Sequence, residues 1–196
     1  MTKTVEFYFD LGSPAAYLAA TQLPQLCTEA GATLVWKPML LGGVFQATGN
    51  HSPAQVLHKG PYMQADLRRF AARYGVPFAQ NPHFPVNTLL LMRAATGLQM
   101  KSPERFAAYV EAVFHAMWVA PQNLNDPAIV GAVLQAAGFD AAAMVALASS
   151  QDVKDQLKAA TEQAVARGVF GAPTMFVGDT LFWGQDRLDF VREHLA

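Results

Sequence analysis

The chain has 196 residues, of which 52% are hydrophobic and only 15% are charged. This composition excludes a mostly disordered chain, and the length predicts one domain or one domain that carries a large insertion. The net charge of −1 without a basic stripe, and the lack of an apolar run of roughly 18 residues, make nucleic acid and a membrane unexpected partners.

The first 38 residues predict a β-α-β unit. Val5–Asp10 alternates apolar and polar side chains, which is typical of a strand. Ser13 and Pro14 then begin a helix, because serine is a good N-cap and proline suits the first helical position. Gly31 ends this helix, and Thr33–Lys37 is predicted to form the second strand.

The middle of the chain contains no predicted strand between residues 45 and 168. Capping residues, most of them followed by proline, begin its helices, and glycines end most of them. The predicted helices begin at or next to Pro61, Asn87, Ser102, Asp126, Asp140 and Ser150. We therefore expect a block made only of helices.

The last 25 or so residues return to mixed structure. Thr174–Val177 and Thr180–Trp183 predict two short strands joined by a two-residue turn. Asp186 is predicted to cap a final helix over Arg187–Leu195. The two ends of the chain must then form one sheet. The expected fold is α/β, with a sheet domain of residues 1–44 and 169–196 and an inserted helical domain of residues 45–168.

Two positions carry candidate chemistry. Ser13 lies at a strand-to-helix turn, where free backbone amides and the helix dipole favour an anion. The alternative is that Ser13 serves only as an N-cap. Pro173, which precedes a strand and follows Gly168 and Gly171, is a plausible cis-proline. A cis bond there would expose the backbone of Ala172 to an extended ligand.

The predicted element order resembles the thioredoxin-like fold with an inserted helical domain. Redox members of that fold carry two cysteines in a CxxC motif at the helix start opposite the cis-proline. Here residues 13–16 read SPAA. Disulfide exchange is therefore chemically impossible at this place, but a hydroxyl can still donate a hydrogen bond to the thiolate of a bound thiol cofactor.

Six stretches in order along the chain resemble the 2-hydroxychromene-2-carboxylate isomerase family, the bacterial relatives of kappa-class glutathione transferases. They are FYFDLGSPAAYLA, LLGGVFQATGN, KGPYMQADLRRFAARYGVPF, NPHFPVNTLLLMRA, GVFGAPTMFV and FWGQDRLDFV. The resemblance covers essentially the whole chain.

The resemblance implies a glutathione site built from both ends of the chain. Ser13, the serine of the D-x-x-SP-x-x-Y-L motif, would activate the thiol of the cofactor glutathione. The pKa of that thiol would fall, as the pKa of cysteine thiols does at helix N-termini. The backbone of Ala172 would pair with the cysteinyl part. Gln185 and Asp186 would hold the γ-glutamyl end.

Four further residues complete the site that the resemblance implies. Asn50 would face glutathione and the substrate, although it could instead stabilise its own turn. Lys59 would hold a carboxylate of glutathione or of the substrate, or else be a solvated loop lysine. His83 and Phe84 are expected at a substrate pocket or in packing.

The implied reaction opens a bicyclic hemiketal acid, 2-hydroxychromene-2-carboxylate or a related aromatic unsaturated acid, to trans-o-hydroxybenzylidenepyruvate in naphthalene breakdown. The cofactor thiolate would add reversibly to the conjugated double bond and leave again. One alternative is a kappa-like glutathione transferase that consumes glutathione. Another is a non-enzymatic binding module on the thioredoxin-like frame.

The remaining sequence signals predict a cytoplasmic protein without a metal. Acidic residues in MTKTVEFYFD occupy the place where a signal peptide needs an apolar core. The histidine spacings fit no standard zinc pattern, and Cys27 is alone, which excludes an internal disulfide. Cys27 is expected to be a small buried apolar residue. The family resemblance also implies a homodimer.

Overall fold

The computed structural model describes residues 2–196 of the chain. These residues form a four-stranded mixed sheet and nine α-helices. The strands are β1 (Thr4–Phe9), β2 (Thr33–Pro38), β3 (Thr174–Val177) and β4 (Thr180–Trp183). The helices are α1 (Pro14–Glu29), α2 (Leu41–Thr48), α3 (Lys59–Tyr74), α4 (Leu89–Lys101), α5 (Pro103–Trp118), α6 (Pro127–Ala136), α7 (Ala141–Ser149), α8 (Gln151–Ala166) and α9 (Leu188–Leu195).

The sheet joins the two ends of the chain, as the sequence predicts. Its strand order is β2-β1-β3-β4, with β1 parallel to β2 and antiparallel to β3. Thr4 of β1 lies opposite Thr33 of β2, and Val5 lies opposite Val177 of β3. Because β1 is central, the turn that follows it lies beside the start of β3, and this brings Ser13 next to Ala172.

One buried cluster joins the sheet to the helical block. Phe7 and Phe9 of β1 are fully buried and pack with Trp36 of β2 and with Phe106 and Phe114 of α5. Large aromatic side chains contribute most to such a core because each buries about 150–250 Å². The helical block therefore packs directly against one face of the sheet.

Most predicted elements are confirmed, and one helix was missed. The β-α-β start, the helices of the middle and the two final strands are all present. Helix α2 was not predicted, because Gly42 and Gly43 are poor helix formers. It runs from Leu41 to Thr48 and so crosses residue 44, the predicted limit of the sheet domain. The division into two domains stays a prediction.

The start of the last helix differs from the prediction. A 3-10 turn over Gln185–Arg187 comes first, and α9 begins at Leu188 with Arg187 as its N-cap. Asp186 is therefore not the cap of this helix. Its carboxylate instead folds back over Gly184, whose positive φ of 105° permits the turn, and pairs with Arg187.

No single helix of residues 2–196 is long and apolar enough to cross a membrane. Helices α6 and α7 reach such a length and apolar composition only when they are taken together, and the chain bends by 115° between them.

Candidate active site

The Ser13 hydroxyl lies at the centre of the candidate site. Ser13 is the N-cap of α1, and its Oγ accepts a hydrogen bond from the Ala16 N–H at 3.1 Å. The same hydroxyl donates a hydrogen bond to the carbonyl oxygen of Ala172 at 3.0 Å. The side chain is buried, with 5% of Ser13 exposed. Two residues 159 positions apart in the sequence thus meet at one hydrogen bond.

Backbone donors surround this hydroxyl. The first turn of a helix leaves N–H groups without intrahelical partners. Pro14 has no N–H, the Ala16 N–H is capped by Ser13, and the Ala15 N–H makes no hydrogen bond within residues 2–196. The Ala172 N–H also has no partner within that part of the chain. Free amides and the positive end of α1 make this a place for an anion.

The Ala172–Pro173 peptide bond is cis, as the sequence predicts. The Pro173 carbonyl accepts a hydrogen bond from the Gly184 N–H at 3.0 Å, which joins this strand entry to the turn before α9. Gly171 lies against the indole of Trp183, where a Cβ would come within 2.7 Å of Nε1. Only glycine therefore permits this approach of Trp183 to the backbone beside Ala172.

A buried carboxylate, Asp10, organises the turn that carries Ser13. Asp10 is 1% exposed, and its two oxygens accept hydrogen bonds of 2.8 Å from the Gly12 and Leu41 N–H groups. Burial raises the pKa of the carboxyl, against the lowering effect of these two N–H groups and of the Thr88 hydroxyl. Asp10 thereby connects the Ser13 turn to the first residue of α2 and to the start of α4.

Sequence reasoning did not assign Asp10 a role. The residue stands in the quoted motif, but its partners Leu41 and Thr88 are far away in the chain and give no local signal. The only hint in the sequence is an aspartate between the apolar residues Phe9 and Leu11, because an acidic side chain buried with such neighbours requires partners.

Asn50 connects the loop after α2 to the segment that leads into the cis-proline. Its Nδ2 donates to the Phe170 carbonyl at 2.8 Å, and its Oδ1 accepts from the His51 N–H at 2.9 Å. Asn50 thus stabilises its own turn and is bonded to Phe170, the residue two positions before Ala172. Its role toward glutathione and the substrate stays a prediction. Asn50 itself is exposed.

The turn with Gln185 and Asp186 lies next to Pro173. Gln185 is 5% exposed, and its carbonyl accepts a 2.6 Å hydrogen bond from the Tyr74 hydroxyl. Burial, followed by the charges of Asp189 and Asp186, raises the pKa of Tyr74 to about 12. Tyr74 therefore stays protonated near neutral pH and holds this turn against α3.

Lys59, His83 and Phe84 are not joined to the Ser13 turn by any hydrogen bond or ion pair in the described part of the chain. Lys59 is exposed at the first residue of α3, and His83 is exposed in the segment before α4. Phe84 packs with its ring centroid 6.0 Å from that of Trp118, whose Nε1 donates to the Leu11 carbonyl. Phe84 is thus one aromatic ring away from the turn that carries Ser13.

A second aromatic pair lies beside Asn50. The rings of Phe170 and Trp183 have centroids 5.1 Å apart and are 38% and 44% exposed. Such exposure of two large apolar side chains is unusual for core packing. Together with the Ala172 backbone, these rings form an open, partly apolar ledge.

Cys27 is a free, buried thiol, as predicted. Burial raises its pKa to about 11, so it is a poor nucleophile near neutral pH. Within residues 2–196, no three histidine, cysteine, aspartate or glutamate side chains are placed to hold a metal ion.

Comparison with known proteins finds a matching family model and two groups of named relatives. The family model described as a DSBA-like thioredoxin domain matches residues 4–196. The 2-hydroxychromene-2-carboxylate isomerase of Sphingobium xenophagum is 36% identical over 200 residues, which cover 100% of this chain and 99% of that protein. A solved 2-hydroxychromene-2-carboxylate isomerase has a TM-score of 0.83 at 32% identity, covering 98% of this chain and 94% of that one.

A second group of relatives has a different activity in its name. Glutathione S-transferase kappa 1 of Homo sapiens is 27% identical over 212 residues, which cover 100% of this chain and 92% of that protein.

Proposed function

Because the chain belongs to the DSBA-like thioredoxin family and, within it, to the 2-hydroxychromene-2-carboxylate isomerases, we propose that it isomerises 2-hydroxychromene-2-carboxylate or a closely related aromatic acid with glutathione as cofactor. The observation that carries the proposal is a hydroxyl at the N-terminus of α1, in contact with the residue before a cis-proline. No thiol stands at this place, so the chain itself cannot supply a thiolate nucleophile.

The residues present fit glutathione. The free N–H of Ala172 and its carbonyl offer one donor and one acceptor to an extended peptide, as an edge strand does. Asp186 and Arg187 form an adjacent pair of opposite charges. Such a pair complements the α-amino and α-carboxylate groups of a γ-glutamyl end, with Gln185 holding the backbone of the turn.

Bound glutathione supplies a thiolate, which is a good nucleophile toward a conjugated double bond and a good leaving group. Ser13 would hold that thiolate by donating a hydrogen bond from its hydroxyl, and the Ala15 N–H and the dipole of α1 would add positive potential at the same point. These groups would lower the thiol pKa, so that more of the bound thiol is thiolate near neutral pH.

Substrate recognition is assigned to the open side of the site. Asn50 and the Phe170–Trp183 ledge present an amide and two rings beside Ala172. An aromatic acid can stack on such rings and receive a hydrogen bond from the amide. Lys59 and His83 stay candidates for its carboxylate, and Phe84 stays a candidate wall of the pocket.

Calorimetric titration with glutathione tests the cofactor site. Wild-type protein should bind glutathione with a micromolar-to-millimolar Kd, and the bound thiol should show thiolate absorbance at neutral pH. Ser13→Ala should keep most of the affinity, because Ala172 and the turn before α9 remain, but should lose the thiolate band. Absence of binding at several millimolar glutathione would contradict the proposal and would favour a binding module on a thioredoxin-like frame.

A kappa-like glutathione transferase is the second candidate, supported by the human relative at 27% identity. It would use the same Ser13 and Ala172, and it differs in consuming glutathione on an electrophile. Measuring the amount of glutathione before and after turnover distinguishes the isomerase from the transferase. A cytoplasmic location and a homodimer stay predictions.

A further inference from the structure

The Ser13 hydroxyl can donate one hydrogen bond, and in the structure the acceptor is the Ala172 carbonyl. Ser13 Oγ accepts from the Ala16 N–H and donates to the Ala172 carbonyl at 3.0 Å. Within residues 2–196 this hydroxyl is the only hydrogen-bond donor to that carbonyl. The two groups proposed to receive glutathione therefore satisfy each other before it binds.

A hydroxyl cannot donate one proton to two acceptors. If the Ser13 proton turns to a thiolate, the Ala172 carbonyl loses its donor. Ala172 is half-buried and the hydrogen bond that its carbonyl accepts is part-buried, so loss of this donor has a free-energy cost that opposes stabilisation of the thiolate. The opposition disappears when the ligand brings an N–H of its own to that carbonyl.

We propose that Ser13 and Ala172 exchange hydrogen-bond partners on binding, so that thiol activation depends on an N–H donated by the ligand. The activated class is then thiols that carry a secondary amide N–H on the carbon next to the thiol-bearing carbon, as a cysteinyl peptide does. Simple thiols without this amide are not activated, even where they reach Ser13. This inference rests on the proposed function and specifies which thiols the site selects.

Replacement of single N–H groups in glutathione by ester oxygens provides the test. One analogue lacks the cysteinyl N–H, and a matched control analogue lacks only the glycyl N–H. Calorimetry gives the affinity of each ligand for wild type and for Ser13→Ala, from acidic pH to above the thiol pKa. Ratios of affinity between glutathione and each analogue then cancel the binding that they share.

In the wild type, the ratio of the affinity for glutathione to that for the cysteinyl ester should change with pH. No other ratio should do so. At acidic pH the protonated thiol needs no donor, so loss of the cysteinyl N–H should weaken binding by about tenfold or less. Above the bound thiol pKa the ratio should grow by about another tenfold, equivalent to about one pH unit in the thiol pKa. Ser13→Ala and the glycyl control should each give a ratio that does not change with pH.

Three results would overturn the inference while leaving glutathione binding intact. They are a flat ratio in the wild type, the same pH dependence in Ser13→Ala, and no binding of the cysteinyl ester even at acidic pH. Failure of glutathione itself to bind would instead overturn the proposed function, and this inference with it.

Discussion

At the scale of single residues, the site depends on groups that satisfy several partners at once. The Ser13 hydroxyl caps a helix and contacts Ala172, while the Asp10 carboxylate holds Gly12 and Leu41. A hydroxyl replaces thiols here, and the one cysteine of the chain, Cys27, is buried in α1. Disulfide exchange by thiols of this chain is therefore impossible at the Ser13 turn, whereas the hydroxyl can donate a hydrogen bond to an external thiolate.

Asp10→Asn should destabilise the protein by about 1–3 kcal/mol, because an amide offers only one oxygen and leaves one of the two N–H groups facing a donor. The loss should also depend on pH. Burial raises the folded-state pKa of Asp10, so the folded protein keeps a proton that the unfolded chain has released. Denaturant unfolding at several pH values measures both effects.

The expected pH dependence has a definite sign. Between the ordinary aspartate pKa of about 4 and the higher folded-state pKa, the Asp10 contribution to the unfolding free energy falls as the pH rises. The difference in unfolding free energy between wild type and Asp10→Asn should therefore decrease as the pH rises between these two pKa values. Asp126→Asn is the control, because exposed Asp126 caps α6 through the Ala128 N–H and asparagine caps equally well. A difference that increases with pH would contradict this account of Asp10.

Sequence reasoning found residues whose signal is local. Ser13 and Pro173 stand out from their neighbours alone, as an N-cap before a proline and as a proline at a strand entry. Asp10 was missed because its partners come from α2 and from the start of α4. The exposure of Phe170 and Trp183 has no local signal in the sequence, since exposure depends on tertiary structure.

At the scale of elements, helix starts with a capping residue and a proline could be predicted from the sequence, whereas α2, which begins with neither, could not. The Asp-Pro start of α6 and the Ser-Pro start of α5 fall where predicted. Helix α2 has no capping side chain at its N-cap residue, Leu40, and it contains Gly42 and Gly43, so tertiary contacts rather than propensity stabilise it. Its first N–H, that of Leu41, bonds to Asp10, which is a contact no local pattern reveals.

Gly97→Ala should destabilise the helical block by about 1–3 kcal/mol, because α4 and α7 approach closely at this residue. A Cβ on Gly97 would lie 2.6 Å from Cγ of Leu147. Gly131→Ala in α6 is the matched control, since its Cβ would meet only Ala141 at 3.7 Å and alanine favours the helix. Thermal and denaturant unfolding would measure both. An unfolding free energy of Gly97→Ala equal to that of wild type would show that α4 and α7 separate easily.

At the scale of the whole molecule, the sheet and the helical block share one core. The Trp118 Nε1 donates to the Leu11 carbonyl and the Tyr17 hydroxyl donates to the Pro77 carbonyl, so buried or part-buried bonds cross between them. The element order along the chain could be predicted because each end carries clear strands. The placement of the block on the sheet could not, since it depends on contacts between residues far apart in sequence.

This shared core predicts one cooperative unfolding transition. Trp118 is fully buried between the block and the Ser13 turn, so its fluorescence reports on their contact, while far-ultraviolet circular dichroism reports on all helices. The two signals should change at the same denaturant concentration. Trp36 and Trp183 also emit, so Trp118→Phe identifies the share of the signal that belongs to Trp118. Separate midpoints for the two signals would show that the block unfolds on its own.

The central claim is that this chain isomerises an aromatic acid with a glutathione thiolate held by Ser13. The most direct measurement is turnover of 2-hydroxychromene-2-carboxylate by wild type and Ser13→Ala, with glutathione counted before and after. We predict product only when glutathione is present, an unchanged amount of glutathione, and a kcat lowered by about 10²-fold in Ser13→Ala at saturating glutathione. Turnover without glutathione, consumption of glutathione in step with product, or an unchanged kcat in Ser13→Ala would contradict the claim.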